Sequence, residues 1–185
     1  MKIFNTIRNA CLFALVAWSV AAGALLGLSL VAVPAQAQSV DTITCTGSSN
    51  TTYDPPITNQ PATVTFSDDS VYAPCESTVP GITAGSGSFS SPVAGRSCLS
   101  LLEMYPVTVF IDWNNGQSST LQLNAVTNIG AGVYTVTQTG TVTDGLFLGR
   151  SAVRQLVAPS IDILACTLGL GSVSSIGFTG VLAIL

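Results

Sequence analysis

The sequence predicts an all-β domain, arranged as a two-sheet sandwich with Greek-key connections, with a closed β-barrel as the alternative. Beyond residue 37, polar and apolar residues alternate repeatedly, and no stretch keeps apolar residues at helical spacing for three turns. Candidate strands recur at intervals of about 8–12 residues, separated by turn residues. Residues 38–185 are enough for one domain with a single core.

The first 37 residues are typical of an export signal. Lys2 and Arg8 give a positive start, and the run from Ala10 to Val33 is apolar and uncharged. Pro34-Ala35-Gln36-Ala37 supplies a helix break and a small-x-small cleavage site, so we predict secretion with cleavage after Ala37. An uncleaved anchor is the alternative, because about 20 apolar residues can span a bilayer. We expect no membrane span in residues 38–185.

Period-two alternation and turn residues place the candidate strands along the rest of the chain. They are Val40 to Thr46, Ala62 to Phe66, Ser70 to Ala73, Gly85 to Ser90, Val107 to Trp113, Ser118 to Thr127, Gly132 to Thr139, Thr141 to Thr143, Ser151 to Val157, Ile161 to Thr167 and Ser172 to Ala183. Pro55-Pro56 and Pro61 indicate a loop edge. The Gly- and Ser-rich stretch from Gly81 to Gly95 is expected to be a mobile edge of the sheet.

The strongest local prediction is a hairpin around Asn114-Asn115-Gly116, because Asn and Gly tolerate the positive φ of a tight turn. Alternation on its two strands predicts the centre of the core, formed by Val107, Val109, Ile111, Trp113, Leu121, Leu123 and Ala125. The apolar segment from Val173 to Leu185 is expected to dock in the sheet as a final strand.

Four cysteines follow the export signal, namely Cys45, Cys75, Cys98 and Cys166. An even number in an oxidising compartment predicts two disulfides, with three connectivities open. We favour Cys45–Cys75 and Cys98–Cys166, because each pair then ties strand ends within its own half of the domain. Loop entropy gives about 3–4.5 kcal/mol of stabilisation for each. The absence of histidine and of Cys-x-x-Cys spacing argues against zinc and redox chemistry.

Charge also restricts the partners. Beyond residue 37 there are three arginines, no lysine and nine carboxylates, which is a net charge of −6. Nucleic acids require clustered basic residues that displace counterions, so neither DNA nor RNA is an expected partner. Anionic lipid headgroups are disfavoured for the same reason.

Several short segments occur in a familiar order. They are Cys45-Thr46-Gly47, Tyr53-Asp54-Pro55-Pro56-Ile57-Thr58, Tyr72-Ala73-Pro74-Cys75, Ser97-Cys98-Leu99, Trp113-Asn114-Asn115-Gly116, Thr139 to Phe147, and Cys166. The chain resembles a group of small secreted actinobacterial proteins of uncharacterised function, which are regarded as immunoglobulin-like β-sandwiches. The resemblance implies fold and location, and it carries no active site. Unlike true immunoglobulin domains, which have one bridge spanning the tryptophan, this chain is expected to form two.

Catalytic residue types are scarce. A serine hydrolase requires a base beside its nucleophile, and residues 38–185 contain neither histidine nor lysine. A glycosidase requires two carboxylates, for which Glu76, Glu103 and Asp112 are the candidates, although solvent-facing roles are favoured for Glu76 and Glu103. Asp68-Asp69-Ser70 and Asp112-x-Asn114-x-Gly116 offer oxygen ligands for calcium, but turn formation explains both. We therefore expect no metal and no cofactor.

The remaining candidates are aromatic and basic. Tyr53, Tyr72, Tyr105 and Tyr134, with Trp113, could form a carbohydrate or peptide platform, while core packing is favoured for the tryptophan. Arg150 and Arg154 could form a small anion site, although single solvated arginines are the default. We predict a secreted, non-enzymatic structural or interaction module with an unidentified protein or cell-surface partner. The alternatives are a carbohydrate- or peptide-binding module and a carboxylate-dependent glycosidase.

Overall fold

The computed structural model describes residues 40–185. The predicted export signal and its cleavage site after Ala37 lie outside these residues. The described chain forms eight strands, a 3-10 helix η1 and an α-helix α1. Their bounds are β1 Ile43–Ile57, β2 Ala62–Ser77, β3 Gly85–Arg96, η1 Leu99–Leu102, β4 Tyr105–Trp113, β5 Ser118–Gly130, β6 Val133–Gly145, β7 Ser151–Pro159, α1 Ile161–Thr167 and β8 Val173–Ile184.

The strands form a closed antiparallel barrel in which each strand pairs with the next, and β8 returns to pair with β1. The all-β prediction is confirmed, and the closed barrel, given as the alternative, is the observed architecture. The preferred two-sheet sandwich, including its immunoglobulin-like form, is not what the structure shows. Pairing of Ile43 with Ile184 joins the first and last strands, whereas a sandwich leaves open edges on two sheets.

Individual elements differ from the sequence prediction in four places. β2 and β6 are each one continuous strand where two were predicted, and β1 continues through Pro55-Pro56 to Ile57. Ile161–Thr167, predicted as a strand, is a helix, in which Ile163 and Cys166 are buried one turn apart and Asp162 lies in the first turn. Its apolar residues fit either period over so short a segment.

The predicted hairpin is present, with β4 and β5 paired so that Val109 faces Leu121 and Val107 faces Leu123. Of the predicted core residues, Val109, Ile111, Trp113, Leu121, Leu123 and Ala125 are buried and Val107 is partly buried. The Trp113 indole donates a hydrogen bond to Ser119 Oγ at 2.8 Å and meets Phe147 edge-on. Core packing is therefore the observed role of the tryptophan.

Buried apolar side chains form two clusters, one toward each end of the barrel. The Trp113 cluster includes Ile43, Tyr72, Ile111, Leu121, Val142 and Ile184. The Tyr134 cluster includes Tyr53, Val64, Leu101, Val136, Leu156, Ile176 and Phe178. The disulfides are those favoured from the sequence, with Cys45–Cys75 linking paired positions of β1 and β2 and Cys98–Cys166 joining the η1 and α1 segments.

Within residues 40–185, no helix is long and apolar enough to cross a membrane.

Candidate ligand-binding cavity

The barrel wall is interrupted between β3 and β4. These strands pair only where Gly85 meets Trp113 and Ser86 meets Asp112, whereas β4 and β5 pair from Tyr105 to Asp112. Gly87 marks the last close approach, because a Cβ there would overlap the Phe110 carbonyl. Beyond it the strands separate, and a gap remains between residues 88–96 and 105–109.

Both strands that border the gap contain a proline, Pro92 on β3 and Pro106 on β4. Proline cannot donate a ladder hydrogen bond and is therefore found at sheet edges. The stretch from Gly81 to Gly95, predicted as a mobile edge, is strand from Gly85 onward, and it becomes a sheet edge only on the β4 side.

A cavity of about 450 Å³ lies behind this gap. Its walls are mainly apolar and belong largely to the Tyr134 cluster, with Tyr134, Val136, Leu156, Ile176 and Phe178 opposite the gap. Ser88, Phe89 and Val93 of β3 and the β4 residues 105–110 also line it, so the gap is its mouth. The 3-10 helix closes the adjacent end of the barrel, where Tyr134 Oη donates a 2.6 Å hydrogen bond to the Leu101 carbonyl.

Polar side chains form a belt across the interior between the two apolar clusters. On β7, Arg154 lies between Ala152 of the Trp113 cluster and Leu156 of the Tyr134 cluster. Equivalent inward positions on other strands supply the rest of this polar belt, which comprises Ser49, Thr51, Asp68, Ser70, Gln138 and Arg154. All but Ser49 line the cavity, so the belt is its polar floor.

Arg154 and Asp68 are the charged pair of this belt. Arg154 is 3% exposed, and its Nη2 lies 3.6 Å from Asp68 Oδ2 and 2.6 Å from Ser70 Oγ. Asp68 also accepts hydrogen bonds from the hydroxyls of Ser49, Thr51 and Ser70. Because buried charges persist only when paired and hydrogen-bonded, this network explains how an arginine and an aspartate are tolerated inside the barrel.

One side of Arg154 faces away from the large cavity. Arg154 Nε and Tyr72 Oη are buried without a protein hydrogen-bond partner. Both residues line a separate void of about 10 Å³, which is the size of one water molecule. The guanidinium also lies over the Tyr72 ring, 5.7 Å from its centroid.

Arg96 is the second cation of the cavity wall. It ends β3 beside the mouth, with its guanidinium 5.6 Å from the centroid of the Tyr105 ring. Its Nε is buried without a hydrogen-bond partner. Among residues 40–185, Arg154–Asp68 is the only ion pair, so no carboxylate of the described chain neutralises Arg96.

The tyrosines predicted as a platform are inside the barrel. Tyr53, Tyr72 and Tyr134 are at most 5% exposed, and Tyr105 is partly buried. Desolvation raises the pKa of all four above the ordinary tyrosine value, while the nearby Arg96 charge opposes that rise at Tyr53 and Tyr105. They are therefore neutral at physiological pH, and they act as apolar surfaces with hydroxyl tips.

Aromatic side chains run from the interior to the mouth. Tyr53 contacts Phe66 at 5.9 Å between centroids, Phe66 contacts Phe89 at 6.2 Å, and Phe89 stacks on Phe110 at 6.4 Å. Phe89 and Phe110 are 40% and 46% exposed. Apolar surface thus continues without a break from solvent into the cavity.

The candidate catalytic carboxylates do not meet in the cavity. Glu76, Glu103 and Asp112 are all exposed, and Asp112 alternates with the buried Ile111 and Trp113. Asp68 is the only carboxylate of residues 40–185 in the cavity wall.

In the calcium candidate around Asn114, the asparagine side chain has a local structural role. The Asn114 side chain accepts from the Thr83 and Ala84 amides and donates to the Gly81 carbonyl, so it fixes the preceding loop against the hairpin. Gly116 has φ +83°, as the turn requires. Within the described part of the chain, no group of three or more Cys, Asp and Glu side chains could hold a metal ion.

The two arginines considered as an anion site have separate environments. Arg150 is partly buried outside the cavity wall, whereas Arg154 is buried inside, so the default of a solvated side chain is wrong for Arg154. The alternation along β7 indicated that Arg154 points inward, because Arg154 shares its phase with Ala152, Leu156 and Ala158. Arg96 lies in a Gly-Ser-Pro stretch and had no comparable signal.

Comparison of the chain with protein-family models, curated proteins and solved structures found no match.

Proposed function

We propose that this protein is an exported, non-enzymatic binding protein whose barrel holds one small, mainly apolar ligand. The observation that carries the proposal is the open cavity of about 450 Å³, a size within the range of small-molecule sites. Eight-stranded barrels have an interior that side chains can fill or that can hold one small ligand. Here the Trp113 cluster fills one half, and the half next to the β3–β4 gap is left open.

The wall of the cavity favours binding over catalysis. A glycosidase requires two carboxylates across its substrate, and among residues 40–185 this cavity offers only Asp68. That carboxylate is already engaged by Arg154 and three hydroxyls. The geometry therefore favours a ligand-binding module, one of the alternatives predicted from the sequence. The ligand it favours is apolar, rather than a carbohydrate or a peptide.

The proposed location is extracellular. Two disulfides are consistent with an oxidising compartment, and the first 37 residues have the pattern of a cleaved export signal. An exported binding barrel would act in the medium or at the cell surface.

Filling the cavity tests the proposal. Val107 is partly buried and lines the mouth, so a Val107→Trp side chain should occupy the space proposed for the ligand. The neutral fluorophore N-phenyl-1-naphthylamine reports binding by its increase in emission in an apolar site. We expect the exported wild-type protein to bind it with saturation, and Val107→Trp to weaken binding by about tenfold or more, which is about 1.4 kcal/mol.

Val126→Trp is the matched control, because Val126 is 50% exposed on the outside of β5. The same substitution there should leave binding unchanged. Equal affinity for wild type and Val107→Trp, with both variants folded by circular dichroism, would place the dye elsewhere and contradict the proposal.

An interaction role at a lipid surface is a second candidate, and exposed apolar residues on two linked segments favour it. Cys98–Cys166 holds the η1 and α1 segments together at the end of the barrel next to the cavity. The exposed apolar residues of these segments are Leu99, Leu102, Met104, Ile161, Leu164, Leu168 and Leu170, all at least 41% exposed. Leu101 of the same 3-10 helix lines the cavity. A lipid surface bound at these residues would therefore lie next to the cavity and could exchange ligand with it. Co-flotation with neutral phosphatidylcholine vesicles that Leu168→Ser abolishes would support this candidate, and absence of flotation would oppose it.

A further inference from the structure

We propose that the ligand is an amphiphile with a single anionic head group, of the fatty-acid kind, and that Arg96 binds that head group at the mouth of the cavity. This inference rests on the proposed function and narrows it to a class of ligand.

The distribution of charge between the surface and the cavity is the first observation. Beyond residue 37 the chain has three arginines and nine carboxylates. Two of the arginines, Arg96 and Arg154, line the cavity, together with only one carboxylate, Asp68. An acidic protein thus has a cavity with a net positive charge of one, and an anion of charge −1 would neutralise it.

The two cavity arginines differ in their partners. Arg154 is paired with Asp68 and held by Ser70 and Gln138, so its charge is already compensated within the polar floor. Arg96 lies on an apolar and aromatic wall and has no carboxylate partner among residues 40–185. A charge in such surroundings is stabilised by pairing, and a ligand carboxylate would supply the missing partner.

The position of Arg96 fits a head-group contact. Arg96 is partly buried at the end of the β3–β4 opening that lies farthest from the Gly85–Trp113 pair. Its guanidinium lies over the ring of Tyr105, on the other side of that opening. Its buried Nε has no hydrogen-bond partner. A guanidinium presents its N–H donors in a fork that matches the geometry of a carboxylate.

The rest of the cavity fits an alkyl tail. Inward from Arg96, the opposite wall consists of Val136, Leu156, Ile176 and Phe178, all nearly fully buried. Methylene groups placed against such a wall are stabilised because they leave water for an apolar environment. Head-group recognition at the mouth and tail burial behind it define a monoanionic amphiphile.

Competition with N-phenyl-1-naphthylamine at neutral pH tests the inference. The competitors are dodecanoate, 1-dodecanol, dodecyltrimethylammonium and acetate, each below its micellar concentration. We expect dodecanoate to bind about tenfold or more tightly than dodecanol, which is about 1.4 kcal/mol. Dodecyltrimethylammonium should bind most weakly of the three long-chain compounds, and acetate should not displace the dye in the same concentration range.

Substitutions then assign the preference to Arg96. Arg96→Gln should reduce the affinity for dodecanoate to that for dodecanol, and Arg96→Lys should keep part of the preference for dodecanoate. Arg150→Gln is the matched control, because Arg150 lies outside the cavity wall, and it should behave as wild type.

The outcomes separate this inference from the proposed function. If the wild type binds the dye but does not prefer dodecanoate over dodecanol, the head-group assignment alone is overturned. The same holds if Arg96→Gln leaves that preference intact. Displacement by acetate as strong as by dodecanoate overturns the amphiphile class. Failure of both the dye and dodecanoate to bind, the latter measured by calorimetry, overturns the proposed function as well. If Arg96→Gln does not fold, the preference of the wild type for dodecanoate over dodecanol, and its reduction in Arg96→Lys, still test the head-group assignment.

Discussion

Asp68→Asn is the substitution that most directly perturbs the polar floor of the cavity. The change keeps the size of the side chain and removes the charge that compensates Arg154, which is 3% exposed. Breaking a buried ion pair typically costs about 3–5 kcal/mol, because the remaining charge is left buried and uncompensated.

For this pair the structure indicates a cost at or below the lower end of that range. Asp68 is 20% exposed and its contact with Arg154 is 3.6 Å, so solvent already screens part of the interaction. Arg154 also keeps its hydrogen bonds to Ser70 and Gln138. We expect Asp68→Asn to lower the free energy of unfolding by about 2–3 kcal/mol. Removing both charges with Asp68→Asn and Arg154→Met should recover all but about 1 kcal/mol of the loss.

Urea unfolding of the exported protein, followed by the fluorescence of Trp113, measures these differences, since Trp113 is the only tryptophan beyond residue 37. Asp69→Asn is the control, because Asp69 is the exposed neighbour on β2, and it should change stability by less than about 0.5 kcal/mol. A loss at Asp68→Asn no larger than that of the control, or a double variant as unstable as the sum of the single variants, would refute the pairing.

Two further results are expected. Burial raises the pKa of Tyr53 and Tyr134, so these tyrosines ionise at lower pH in the unfolded chain than in the folded protein. The free energy of unfolding should therefore hold below about pH 10 and then fall by about 1.4 kcal/mol per pH unit for each such tyrosine. Tyrosinate absorbance at 295 nm should accordingly appear together with unfolding, and gradual titration of all tyrosines near pH 10 in a folded protein would oppose this. Mass spectrometry of the exported protein should find Gln38 at its N-terminus, whereas a form that retains Ala10 to Val33 would indicate a membrane anchor.

Local patterns specified the strands better than their arrangement. The Asn114-Asn115-Gly116 turn and the alternation on either side predicted the β4–β5 hairpin and its buried face, because both signals are local. Alternation says only that a residue points inward, and it does so equally in a sandwich and in a barrel. Closure depends on pairing between Ile43 and Ile184, at opposite ends of the described chain, and no local pattern encodes that contact.

The candidate site was predictable only in part. Arg154 occupies the inward phase of an otherwise apolar β7 face, which marks it as a buried charge, although its partner Asp68 lies far away in the sequence. The tyrosines were identified as a possible binding surface, but their position inside the barrel was not predicted, since aromatic residues suit both a surface and a core. The cavity itself arises from the separation of β3 and β4, where Gly87, Pro92 and Pro106 permit a gap but do not require one.

The crystal structure of the exported protein grown with dodecanoate tests the central claim most directly. We expect density for the alkyl chain inside the barrel against Tyr134 and Phe178, with the carboxylate within hydrogen-bond distance of Arg96. A barrel in which β3 and β4 pair along their full length and side chains fill the interior, or one in which dodecanoate binds only on the outer surface, would contradict the claim.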